Sequence, residues 1–230
     1  MNTEDTFHEV ASLARALGLF QMNTTLLRQA LAHRSYIHET GGESNERLEF
    51  LGDSVLSLII SEYLYHHFPH KTEGDLSKWR AYLVSADTLA RLAQKLDLGR
   101  YLLLGVGEDK SGGRERKSIL ADALEALLAV IYLEYGWEKV KAFTLTHWQP
   151  LLAQMEKDDL PIDPKTHLQE VLQAKGSVPR YKLINTEGPD HNRLYTIAVY
   201  NGSRFLGKGM GRSKKEAEQE AAEAALKELE

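Results

Sequence analysis

The sequence predicts a multidomain chain: an all-α domain at 1–155, a linker at 156–164 and a small α+β domain at 165–230 in the order α-β-β-β-α. Three patterns predict it. As far as about Met155, apolar residues recur at helical spacing and no strand-like alternation occurs. The segment EKDDLPIDPK at 156–165 is acidic and carries two prolines, which is linker composition. Beyond it, YKLINTE and RLYTIAVY alternate apolar and polar residues, as half-buried strands do. With 230 residues, 43% of them hydrophobic, the chain is long enough for two ordered cores.

Taken in order, Val10, Leu13, Ala14 and Leu17 fall on one helical face, so a helix is expected over 5–18, stopped at Gly18. A second helix is expected to start near Asn23–Thr25 and to run through LLRQALAH. A long helix runs from Asn45 to about His67 and is closed by Pro69. Another helical stretch covers 75–96. The segment from Gly105 to Lys117 holds four glycines and seven charged residues and reads as a loop. It matches no phosphate-cradling motif. A helix from about Ser118 to Tyr135 stops at Gly136, and helix continues to Met155. In the second domain KTHLQEVLQAKG is a helix with Gly176 past its end, and Gly188-Pro189-Asp190 turns between the first two strands. Asn201-Gly202 is a hairpin turn before RFLGKGM, and a last helix covers Ser213–Leu229. Tyr195, Ile197, Val199 and Phe205 are expected to form the core face of the sheet.

The chain has no cysteine, which excludes disulfides and thiolate metal sites. It has no run of 18 uncharged apolar residues, so no membrane span is expected. The N-terminus is acidic where a signal peptide would be basic, and a cytoplasmic protein is expected. The net charge of −5 hides an asymmetry, because residues 163–230 sum to +1 and the rest to −6. Arg204, Lys208, Arg212, Lys214 and Lys215 follow one another with no acid between them, a local segregation that suits a nucleic acid.

The carboxylates are the most informative residues. On a helix from Asn45, Glu46, Glu49 and Asp53 fall within an arc of about 60°. Such a stripe is often a solvated face. Here it continues into Ile60 and Leu64, while Leu48, Leu51, Val55, Leu58 and Ile59 fill the opposite side. The helix is therefore expected to be largely buried, with its acids bordering a cleft. ILADALEALLAVIYL at 119–133 is apolar all round apart from Asp122, Glu125 and the Tyr132 hydroxyl, which marks a core helix. Buried carboxylates need a partner. That partner is either an arginine, for instance Arg47 or Arg80, or a metal ion. If Glu49, Asp53, Asp122 and Glu125 converge, pairs ~4 Å apart repel by roughly 4 kcal/mol at an effective dielectric of about 20. An all-oxygen site of this kind suits magnesium, manganese or calcium, and magnesium chemistry suits phosphodiester hydrolysis. His33, His66 and His67 fit no ligand spacing and are expected to be surface or capping residues, and Trp79 a core residue.

NERLEFLGDSVL at 45–56, with HRSY at 33–36, EGDLSKWRAYLV at 73–84 and KSILADALEALLAVIYL at 117–133, resembles the ribonuclease III family. KTHLQE, GPDHNRLY and GRSKKEAEQEAA resemble a double-stranded RNA-binding domain. The resemblance covers nearly the whole chain. It implies an all-α endonuclease domain followed by an α+β double-stranded RNA-binding domain. It implies that Glu49, Asp122 and Glu125 hold magnesium, for which manganese can substitute, and that Asp53 and Glu125 are closest to the chemistry. Glu46 and Glu73 match two further acids near the cleft, and Phe50 matches an aromatic that packs into a partner subunit. The implied activity is cleavage of double-stranded RNA by a homodimer, leaving 5′-phosphate and 3′-hydroxyl ends with a short 3′ overhang. Precursors of ribosomal RNA and messenger RNA hairpins are the implied substrates, and no small-molecule cofactor is expected.

In the second domain Thr166, Gln169 and Glu170 match the family's minor-groove surface, and Asp190 and His191 lie in the matching loop. Ser213 is the expected N-cap of the last helix, and Lys214 and Lys215 open it, against the helix dipole but well placed for phosphates. No aromatic stacking platform is evident, so single strands are the less expected ligand. Two rival readings are a pure RNA-binding regulator, whose first domain only dimerises, and a phosphohydrolase acting on nucleotides. Magnesium-dependent cleavage of a plain duplex separates both from the favoured reading.

Overall fold

The computed structural model describes residues 3–155, 164–189 and 193–229. They form two compact units that divide between Ala153 and Gln154. The first is helical: α1 (Thr3–Ala16), α2 (Thr24–Ala30), α3 (Arg34–Thr40), α4 (Glu46–His67), α5 (Glu73–Leu83), α6 (Ala86–Lys95), α7 (Leu98–Tyr101), α8 (Val106–Lys110), α9 (Lys117–Tyr135) and α10 (Trp137–Met155). The apolar helix α9 is the core. Its residues from Ile119 to Ile131 are buried apart from Asp122 and Glu125, and α4 and α6 pack against it. Trp148 of α10 is fully buried, and its indole N–H donates to the Leu83 carbonyl (3.0 Å).

Local hydrogen bonds decide where the helices break. Asn23 Oδ1 accepts from the N–H groups of Thr25 and Leu26 and starts α2. Thr72 and Asp75 form a reciprocal capping box at the start of α5. The stretch expected at 75–96 is two helices, because Ser85 Oγ accepts from the Thr88 N–H (3.3 Å) and starts α6. The run expected through LLRQALAH also divides. Ala32 bridges to Leu103, and His33 Nδ1 accepts from the Ser35 N–H (3.3 Å) to cap α3. The segment 105–117, expected as a loop, holds α8 and a 3₁₀ turn at Gly113–Glu115. Arg114 staples it: one guanidinium nitrogen donates to the carbonyls of Gly99, Arg100 and Leu102, while two others reach Asp109. Two expected core residues are not core. Leu58 is exposed, and Trp79 is half-buried, with Phe68 against its edge and Lys71 over its ring.

The second unit runs α11 (Pro164–Gln173), β1 (Pro179–Glu187), β2 (Leu194–Asn201), β3 (Arg204–Gly211) and α12 (Lys214–Leu229). The strands form an antiparallel sheet in the order β1-β2-β3. Leu168 and Leu172 of α11, Val199 and Leu206 of the sheet, and Ala221, Ala222 and Ala225 of α12 make its core. Small residues bring α12 close: a Cβ on Gly207 would come within 2.7 Å of the Ala225 nitrogen. Ile197 and Val199 are buried as expected, but Phe205 is exposed and Leu206 is buried instead. The register explains the exchange. Val199 pairs with Gly207 and Tyr200 with Phe205, so Leu206 is the extra residue of a bulge that turns it to the core face. On the open edge of β3 the Glu220 and Glu216 carboxylates accept from the N–H groups of Met210 (2.6 Å) and Arg212 (2.8 Å).

Candidate nuclease site

The site sits where α4 crosses α9. The crossing is close because Gly52 has no side chain: a Cβ there would overlap the Glu125 carbonyl. The acidic stripe of α4 thereby faces the two acids of α9. Carboxylate oxygens of Glu49, Asp122 and Glu125 all lie within 4.8 Å of one another. All three residues are half-buried, whereas Glu46 and Asp53 are exposed. Neither arginine considered from the sequence serves these acids among the described residues, since Arg47 is exposed and Arg80 donates to Ser61 Oγ (3.2 Å).

Electrostatics follow from this geometry. Burial, with the charges of Asp53, Asp122 and Glu49, pushes the Glu125 carboxyl up to about 8. Glu49 is raised by burial and then by Asp122, Glu46 and Asp53. Burial also raises Asp122, against the opposing effect of His33 and Arg34. Three acids with raised affinity for protons form a site that needs positive charge. The donors are all oxygen, and their spacing matches the ~4–5 Å between ligands on opposite sides of one hard cation. The residues therefore fit a divalent ion.

Beside the cluster lies a cleft of about 340 Å³ lined by Arg34, Asn45, Glu46, Glu49, Arg116 and Asp122, among others. Asn45 is 2% exposed, and its amide nitrogen has no hydrogen-bond partner among the described residues. Such a donor calls for an acceptor from outside the fold. Sequence reading overlooked Arg34, Asn45 and Arg116. Arg34 and Asn45 lie inside the HRSY and NERLEFLGDSVL motifs, so motif membership was the available signal. Arg116 stands at the end of a supposed loop and gave none.

The other expected residues are placed as follows. Glu73 accepts from Ser77 Oγ (2.7 Å) and lines a different cavity, with Tyr65, His66 and Leu76. Phe50 is 77% exposed on α4, and Leu58 and Tyr65 lie exposed on the same side, within about 80° of arc. In the second unit Thr166 and Gln169 are exposed and Glu170 is half-buried on α11. Ser213 Oγ accepts from the Glu216 N–H (3.1 Å), the expected N-cap, and Lys214 and Lys215 are exposed in the first turn of α12. The Lys165–Glu218 ion pair (2.6 Å) holds the first turns of α11 and α12 side by side. Asp190 and His191 lie outside the described residues.

Comparison with known proteins settles the family. A family model described as "Ribonuclease-III-like" matches residues 23–151. Ribonuclease 3 of Desulforamulus reducens is 50% identical over 222 residues, covering 95% of this chain and 90% of its own. The chain belongs to the ribonuclease III family. It is an endoribonuclease, and membership implies a divalent cation, with which the Glu49–Asp122–Glu125 cluster is compatible. Ribonuclease 3 of Pelotomaculum thermopropionicum is 45% identical over 226 residues, covering 96% of this chain and 94% of its own. A double-stranded RNA binding motif matches residues 164–229. The solved nuclease domain of ribonuclease III from Campylobacter jejuni is 44% identical, with a TM-score of 0.57 over 60% of this chain and 94% of that one. No helix among the described residues is long and apolar enough to cross a membrane.

Proposed function

We propose that this chain is a magnesium-dependent endoribonuclease that cuts both strands of double-stranded RNA as a homodimer. It leaves 5′-phosphate and 3′-hydroxyl ends with a short 3′ overhang. Its substrates are ribosomal RNA precursors and structured messenger RNA, and its compartment is the cytoplasm, where such transcripts are made. The observation that carries the reading is the Glu49–Asp122–Glu125 cluster in a chain that also matches an RNA-binding motif.

Glu49, Asp122 and Glu125 would hold the cation. When bound, magnesium supplies positive charge for the carboxylates and Lewis acidity toward the scissile phosphate. Arg34, Arg116 and the unpaired Asn45 amide line the adjoining cleft and offer donors to the phosphates of the bound strand. Asp53, exposed on α4 one turn beyond Glu49 and close enough to raise Glu125, is proposed to act with Glu125 closest to the chemistry. A duplex backbone has two-fold symmetry, so an isologous dimer presents one site to each strand. The exposed Phe50, Leu58 and Tyr65 side of α4 is the proposed subunit contact. The Campylobacter jejuni nuclease domain is described as flexible in a region involved in dimer formation, which supports a dimeric nuclease unit here. Incubation of a synthetic duplex with and without magnesium, followed by end analysis of the products, tests the proposal. Intact RNA in magnesium would favour the pure RNA-binding regulator, and turnover of nucleotides alone would favour the phosphohydrolase.

The second unit is proposed to bind the duplex through Thr166, Gln169 and Glu170 of α11 and Ser213, Lys214 and Lys215 of α12, with Asp190 and His191. Short polar side chains reach the 2′-hydroxyls of the wide A-form minor groove, and the lysines meet phosphates. Replacing Lys214 and Lys215 with Ala is expected to weaken duplex binding irrespective of sequence. The log–log salt slope should shrink by roughly two at most. The melting temperature should hold or rise slightly, since two cations leave a helix N-terminus. Titrations at several salt concentrations beside a thermal melt check both, and an unchanged slope would remove the lysines from the interface.

Truncation after Met155 is expected to leave a folded, dimeric nuclease, because the first unit holds its own core around α9. It should cut duplex RNA at low salt and lose activity steeply as salt rises, having lost the phosphate contacts of the second unit. Sedimentation and circular dichroism of the fragment check the fold; a monomeric or unfolded fragment would show that the proposed boundary is wrong.

A further inference from the structure

The sheet of the second unit has two faces, and the helices cover one. Val199, which belongs to the core, fixes that side. Strand residues alternate between faces, and directly opposed residues of antiparallel strands share one. The uncovered face is therefore read from the register. One row across the three strands is Arg180, Tyr200 and Phe205; the next is Lys182, Ala198 and Lys208.

This face combines two properties. Arg180, Lys182 and Lys208 are exposed, and among the described residues none of the three is in an ion pair. Tyr200 and Phe205 stand beside them with ring centroids 5.8 Å apart and planes at 75°. Phe205 is 52% exposed, an unusual position for a phenyl ring with no cover from its own domain. The Leu206 bulge that turns its neighbour inward is what holds Phe205 outward. Ala198, between the two lysines, is small and only 2% exposed, so the open surface of this row is that of Lys182 and Lys208. Glu187, the acid of β1, lies at the far end of that strand and accepts from the Asn185 amide (2.7 Å).

Phe205, expected in the core, is turned outward and supplies the stacking platform that sequence reading found lacking. Aromatic rings flanked by cations in no ion pair among the described residues fit an unpaired nucleic-acid strand, whose bases stack and whose phosphates meet the cations. A base-paired duplex offers no free base face to Phe205. We infer that the outer face of β1-β2-β3, centred on Tyr200 and Phe205, binds single-stranded RNA, separately from the duplex surface on α11 and α12. An enzyme so equipped holds duplex and adjoining unpaired RNA at once, and so favours hairpins with tails or loops over blunt duplexes.

The experiment uses the full chain in EDTA, so that nothing is cut, and a fluorescent 12-nucleotide uridine strand as probe. The probe is titrated with the protein alone and with protein saturated by unlabelled blunt duplex. Binding of the strand should survive duplex saturation. Phe205→Ala should weaken the strand about tenfold, the effect of one stacked base, with duplex affinity unchanged. Phe205→Trp, which keeps a stacking surface, should retain the strand and guards against a fold defect. Lys182→Glu with Lys208→Glu should abolish strand binding at moderate salt. Complete displacement of the strand by duplex would overturn the inference, because the two would then share one surface. So would an unchanged affinity in Phe205→Ala. A shift in assembly state with Phe205→Ala, without loss of strand binding, would assign the face to another copy of the chain and overturn it equally.

Discussion

Replacing Glu125 with Gln is expected to lower the cleavage rate by at least ~1,000-fold, about 4 kcal/mol of barrier, while leaving duplex binding intact. Gln keeps the shape of the side chain but not the anion that completes the Glu49–Asp122–Glu125 cluster. The same change should stabilise the metal-free protein at pH 8. Between pH 4.5 and about 8 the folded chain holds a proton on Glu125 that the unfolded chain has released. The folded state then binds more protons, so stability falls as pH rises through that window and stays low above it. Below pH 4.5 both states carry the proton and the penalty vanishes. Relief of this penalty should be about 1–3 kcal/mol at pH 8, allowing for screening of a carboxylate that is only partly buried. Thermal melts in EDTA at pH 5 and pH 8 measure it: the variant should gain only at pH 8, and added magnesium should raise the wild type there but not the variant. Normal cleavage by Glu125→Gln at millimolar magnesium would falsify the assignment.

Replacing Gly52 with Ala is expected to damage fold and activity together. The new methyl group would occupy the space of the Glu125 backbone carbonyl, which belongs to a helix and has no free end to swing aside. Either α4 and α9 separate or the domain unfolds in part, at a cost of ~3 kcal/mol or more. The melting temperature of the nuclease domain should fall by about 6–12 °C. Cleavage should be lost even well below the new midpoint, since this crossing sets Glu49 against Asp122 and Glu125. A melt and a cleavage assay at low temperature separate the two effects, and wild-type behaviour in both would show that the helices can part without cost.

The sequence alone determined the fold class, a helical domain followed by α-β-β-β-α, and singled out the carboxylates of the candidate site. An apolar helix with only Asp122 and Glu125 interrupting it had to be central, because no polar face remained for solvent. The alternation of β2 and the Asn201-Gly202 turn set the sheet. Local signals were weaker where side chains chose between continuing and capping: Ser85 and His33 broke expected helices by accepting backbone N–H groups, and nothing in their residue type required it. The turn at 113–115 depended on Arg114 finding three carbonyls, a contact invisible to periodicity. Only the tertiary structure decided that Leu58 and Phe205 face outward, since one apolar residue reads like another until a bulge or a helix crossing orients it. Above all, it decided which acids meet: Glu49 joins Asp122 and Glu125, while Asp53, expected in the same cluster, stays exposed. Spacing placed each pair on one side of its helix, but the meeting depended on Gly52, whose missing side chain lets two backbones approach closely enough for three carboxylates to share one site.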